Sequence, residues 1–137
     1  MKIKNDFVTN SSSTSFVGWG IQVYETDLIN NETMIKAAYD CYWNNKYDHS
    51  SRVTFEEFKE NRDLSIDYIK ECQPSNFLTV QHGPYDSDLM WIASEVRHLK
   101  DDQTLGDFKK LIIIELKEKF GIEVDKIDFI CELWYDG

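Results

Sequence analysis

The stretch Phe16-Val17-Gly18-Trp19-Gly20-Ile21-Gln22-Val23-Tyr24 decides the fold. Val17, Trp19, Ile21 and Val23 alternate with Phe16, Gly18, Gly20, Gln22 and Tyr24, the two-residue period of a half-buried strand. Gly18 and Gly20 share one face, so another element is expected to approach that face closely, although two glycines also weaken a strand. The same alternation returns near the C-terminus, where Ile127, Phe129, Cys131, Leu133 and Tyr135 oppose Asp128, Ile130, Glu132 and Trp134. Two strong strands in the terminal segments are expected to belong to one sheet.

Between them the period lengthens. Asn30 and Asn31 offer caps for a helix running to about residue 45, with Ile35, Ala38, Tyr39 and Tyr42 as one stripe. Residues 44–51 read as a polar loop. Thr54 at the N-cap and Glu57 at N3 make a capping box, with Val53 placed to staple against Phe58. Phe55, Phe58, Ile66 and Ile69 then line a single helix that Pro74 ends. Phe77, Leu78 and Val80 predict a short strand, followed by turn-forming residues 83–88.

Residues 88–99 fit two patterns. Leu89, Ile92, Ala93, Val96 and Leu99 suit a helix, whereas Leu89, Trp91 and Ala93 opposite Met90 and Ile92 suit the return strand of a hairpin. Six turn formers between two short apolar runs favour the strand for 88–94. Thr104 and Asp107 open a last helix lined by Leu105, Phe108, Leu111, Ile112 and Leu116, with Gly121 at C′. The sum is an α+β fold: a mainly antiparallel sheet of about four strands, about three helices on one face, and the other face partly wet. Residues 16–137 form one domain, preceded by a polar segment, 1–15, that holds the serine run.

With 42% hydrophobic and 14% aromatic residues, the chain of 137 has enough apolar surface for one core. The longest apolar run, Leu111 to Ile114, is far short of the roughly 20 residues of a membrane span, so none is expected. No apolar stretch follows the N-terminal lysines, which argues against secretion, for a cytoplasmic location, and against use of the sequons at Asn10 and Asn31. Cys41, Cys72 and Cys131 are odd in number and widely spaced, which points to reduced, mostly buried thiols rather than a zinc site or disulfide framework.

Charge is the compositional extreme: 25 acidic residues against 15 basic give a net charge of −10. Such a surface repels nucleic acid. Lys109, Lys110, Lys117 and Lys119 alternate with Glu115 and Glu118, the pattern of a solvated helix face. His49, His82 and His98 are not spaced as metal ligands, and Asp86-x-Asp88 near His82 reads as turn-forming aspartates. Asp101 and Asp102 suit the dipole of the helix that follows. The serines lack a Gly-x-Ser-x-Gly elbow and Gly18-x-Gly20 lacks the rest of a dinucleotide fingerprint. Four tryptophans with only three arginines do not make a base-stacking platform. No catalytic residue, cofactor or metal site is expected.

The opening Met1-Lys2-Ile3-Lys4-Asn5-Asp6-Phe7-Val8-Thr9-Asn10-Ser11-Ser12-Ser13-Thr14-Ser15-Phe16 resembles a start shared by many small, mostly uncharacterised bacterial and phage proteins. Lys100 to Lys109 is similar to a helix-entry segment in some of them. The resemblance implies a bacterial or phage origin and a cytoplasmic site of action, and assigns no reaction.

The expected function is therefore that of a non-enzymatic, phage- or mobile-element-associated accessory protein that binds another protein. In its sharpest form its carboxylates replace phosphates and inhibit a host nucleic-acid-targeting defence enzyme, in the manner of an anti-CRISPR protein. The acidic patch residues chosen on sequence clustering are Asp86, Asp88, Glu95, Asp101 and Asp102. Two alternatives stay open: a small enzyme or ligand-binding domain with a cleft beside the sheet, and a structural homo-oligomer joined through exposed aromatics.

Overall fold

The computed structural model describes residues 13–44, 52–72, 74–82 and 88–135, with side-chain environments from Phe16 to Cys131. Along the chain these form β1 (Ser13–Tyr24), α1 (Glu25–Ile29), α2 (Glu32–Trp43), α3 (Phe55–Glu60), α4 (Arg62–Glu71), β2 (Thr79–His82), β3 (Leu89–Glu95), a 3-10 turn (Val96–His98), α5 (Leu105–Phe120) and β4 (Asp128–Tyr135). The sheet order is β2-β3-β1-β4, and every neighbouring pair is antiparallel. The fold is α+β, and the two terminal strands lie side by side as expected.

Strand β1 begins three residues earlier than its apolar alternation. Ser13, Thr14 and Ser15 pair with Tyr135, Trp134 and Leu133, so the boundary expected after residue 15 falls inside the strand. Backbone ladder bonds do not depend on side-chain polarity, and the C-terminal strand is long enough to supply partners. Ser11 and Ser12 lie outside the described residues, as do most of the loop at 44–51 and the hairpin turn at 83–87.

Five α-helices replace the expected three among the described residues. Helix α1 is a single turn, opened where the Asp27 carboxylate accepts the Tyr24 N–H at 3.0 Å, and it is too short to show a period. The single helix expected after Thr54 is two. Asn61 ends α3 with an extended ψ of 93°, and its side chain accepts the Leu64 N–H at 3.1 Å to start α4. An Asn satisfies a helix start better than a helix middle, which is why the chain breaks there.

Other expected starts hold. Thr54 and Glu57 form their capping box, the Asn31 side chain accepts the Met34 N–H at 3.0 Å, and Thr104 accepts the Asp107 N–H at 3.0 Å. Gly121 ends α5 at φ 68°, the left-handed conformation in which a Cβ is costly. The inward row of α5 is Phe108, Ile112, Leu116 and Phe120, four residues apart. Leu105 and Leu111, expected in that row, are exposed because they sit off the i, i+4 line.

The main core lies between the helices and one face of the sheet, where Ile21, Val80, Met90 and Ile92 meet Phe58, Ile69 and Phe108. The opposite face has its own dry centre, made by Phe16, Trp91, Ala93 and Ile130, and wet margins at Gln22, Gln81 and Asp128. Gly18 and Gly20 are the floor of this centre. A Cβ on Gly18 would come within 2.7 Å of the Phe16 ring, and one on Gly20 within 2.5 Å of the Ala93 Cα. The close neighbour expected over the glycines is thus the adjacent strand and a ring of β1 itself. With the floor bare, Phe16 and Trp91 lie 4.1 Å apart, centroid to centroid.

The three thiols are less buried than expected: Cys41 and Cys72 are half-buried and Cys131 is exposed on edge strand β4. None forms a disulfide. Among the described residues no helix is long and apolar enough to cross a membrane.

Candidate functional site

Where β1 turns into α1, Glu25 is carried to the start of β3, and its N–H donates to the Asp88 carbonyl at 3.0 Å. The residue is only 6% exposed, so its carboxylate requires partners. Oε1 is paired with Arg62 Nε of α4, and Oε2 meets His82 Nε2 at the end of β2. Arg62 also reaches Asp88 Oδ1 through Nη2 at 2.5 Å. Lys70, two turns further along α4, lies with Nζ 3.2 Å from His82 Nδ1.

Both ring nitrogens of His82 are thus engaged, Nδ1 by Lys70 and Nε2 by Glu25. Glu25, by its hydrogen bond and then its charge, together with the charge of Asp88, holds the Arg62 guanidinium above its ordinary pKa. The result is a clasp that ties the start of α1 to α4, the end of β2 and the residue preceding β3. Among the described residues no serine, threonine or cysteine hydrogen-bonds to His82.

Beside the clasp lies a shallow groove of about 270 Å³ between α4 and β2, lined by Asp67, Lys70, Glu71, Val80 and Gln81. Strand β2 is at the edge of the sheet among the described strands. Asp63, Asp67 and Glu71 follow one another at i, i+4 and i+8 on α4, rising about 6 Å per step along one helix face. All three are exposed, and none is in an ion pair with a described residue. Because Lys70 is directed inward at His82, the rim of the groove is negative. Its volume falls below the roughly 300–1,000 Å³ of small-molecule pockets and admits only a side chain or two. A larger groove of about 620 Å³ is lined by Ile113, Lys117, Glu123, Val124, Asp125 and Lys126. There two lysines offset two acids, and Lys117 lies 3.6 Å from Glu123, so that groove has no preferred sign.

The acidic patch expected from sequence clustering is divided. Asp88 shares Arg62 with Glu25 at one end of β3. Glu95 is at the other end, about 20 Å away along a seven-residue strand, where its Oε1 accepts from Arg97 Nε at 3.1 Å. Asp101 and Asp102 are exposed in the turn before α5. Asp86 lies outside the described residues. His82 has a glutamate on one ring nitrogen and a lysine on the other. Among the described residues no group of three or more His, Cys, Asp or Glu side chains is placed to hold a metal ion.

The acidic row of α4 was visible in the sequence as three acids four residues apart. A search for contiguous clusters passes over it, because Ile66, Ile69 and Lys70 intervene. No family model matches the chain, and neither a curated protein nor a solved structure is detectably similar to it.

Proposed function

We propose that this protein is a non-enzymatic accessory protein of a phage or mobile element, which acts in the bacterial cytoplasm by binding a basic protein surface. Its target is a nucleic-acid-processing enzyme of host defence, whose phosphate-binding groove it occupies. The observation that carries this reading is the negative rim between α4 and edge strand β2, formed by Asp67 and Glu71 and extended by Asp63.

Carboxylates about 6 Å apart on a rigid helix present charges at a spacing that lysine and arginine side chains of a phosphate-binding surface reach in succession. The edge of β2 offers backbone groups to an extended segment lying in the groove. A net charge of −10 steers such an encounter from a distance. The neighbouring clasp supports a binding role over catalysis, since its polar groups are turned on one another.

The test is capture of a purified host nuclease by the immobilised protein at rising salt, with and without competing DNA or RNA. Affinity should fall steeply with salt and nucleic acid should displace the enzyme. Salt-insensitive capture that nucleic acid leaves untouched rejects the proposal.

A further inference from the structure

Two cysteines that are 31 residues apart in sequence meet in the fold. Cys72 is the C-cap of α4, and its thiol donates to the Ala37 carbonyl of α2 at 3.2 Å. In the α2 ladder that same carbonyl accepts the N–H of Cys41, four residues on. The Cys72 sulfur therefore lies against the helical turn from which the Cys41 side chain projects, close enough for the two thiols to influence one another electrostatically. Both are half-buried, so a small reagent reaches them.

The elements that carry them are firmly joined. Helices α2 and α4 pack side by side in the main core, where Tyr42 and Tyr68 meet edge to face at 5.4 Å. Burial, then the neighbouring Cys41, pushes the Cys72 thiol up to about 12, so Cys72 stays protonated at neutral pH. Cys131, on β4 at the far edge of the sheet from β2, is separate from this pair.

We propose that Cys41 and Cys72 form a reversible disulfide, a redox-modification site that joins α2 to the end of α4. The oxidant is a small disulfide such as oxidised glutathione. The Cys41 thiolate attacks one of its sulfurs and releases one glutathione thiol, leaving a mixed disulfide on Cys41. Cys72 then gives up its proton and displaces the second glutathione, which leaves as a thiol. Two protein thiols are oxidised to one disulfide while one glutathione disulfide is reduced to two thiols. Cys72 is the slow partner in this sequence, because its proton is strongly held.

This site goes beyond the binding role and does not depend on it. The cross-link closes the chain from α2 through α3 to α4, and so fixes the helix that bears the acidic row.

The experiment equilibrates the full-length protein in glutathione redox buffers, quenches it with acid and maps unreduced peptides by mass spectrometry. The expected result is a Cys41–Cys72 cross-linked peptide with glutathione on Cys131 alone, and a Tm raised on the order of 10 °C over the reduced protein. Cys131→Ser should leave the cross-link intact, while Cys41→Ser should leave Cys72 unmodified or glutathionylated. Separate glutathione adducts on Cys41 and Cys72 of the wild-type protein, with no cross-link at any ratio, overturn the proposal. So does a cross-link that includes Cys131.

Discussion

Glu25 and His82 meet side chain to side chain across 57 residues of sequence, the one opening α1 directly after β1 and the other at the end of β2. Neither strand pairs with the other, since β3 lies between them. The contact therefore joins the β1–α1 junction to β2 across the strand between them, and Arg62 fastens α4 to the same carboxylate.

Removing that carboxylate should loosen three elements at once. Glu25→Ala is expected to cost about 1–3 kcal/mol, because it removes a buried carboxylate's hydrogen bond to the partly buried His82 Nε2. Arg62→Met should also destabilise, by leaving a buried carboxylate with one partner fewer. The double variant should lose less than the sum of the two, as urea titrations of all three proteins would reveal. Strict additivity would mean that the clasp is not a unit.

Gly20→Ala should destabilise by about 1–3 kcal/mol, because its Cβ would stand 2.5 Å from the Ala93 Cα with no flexible side chain to give way. Fluorescence of Trp91 should respond, since Phe16 and Trp91 lie over that floor. A neutral Gly20→Ala in thermal melts contradicts the packing described for this face.

Alkaline pH provides a separate check on Cys72. Its folded pKa, about 12, is raised above the ordinary 9.0, so between those values the unfolded chain binds fewer protons than the folded one. Stability then falls as pH rises through that window, and is unaffected by this group below it. Cys72→Ser should show a shallower alkaline loss than wild type in urea melts at pH 8 and 10.5 under reducing conditions. Equal slopes refute the assignment.

The sheet was legible in the sequence because strands leave a two-residue period, clear in Ile21 and Val23 and again in Phe129 and Cys131. Helix starts were legible where a threonine cap stands three residues before an acid, as at Thr54 and Thr104. The break at Asn61 was not, since an Asn inside an apolar stripe reads as a surface position until its side chain is seen on Leu64. The clasp was not legible for a different reason. Glu25, Arg62, Lys70 and His82 have no local pattern that joins them, and only the order of the strands brings them to one corner. The acidic row lay between these cases: its spacing is local, but its meaning depends on β2 lying beside it.

The most direct test of the central claim follows backbone amide NMR shifts of the isotopically labelled protein as an arginine-rich peptide is added at low salt. The account predicts that shifts concentrate in residues 63–71 and 79–82 and vanish in high salt. It also predicts that Asp67→Lys with Glu71→Lys weakens binding by roughly tenfold or more while the fold is kept. Shifts centred on Glu95, Asp101 and Asp102, or binding unchanged by the two substitutions, would contradict it.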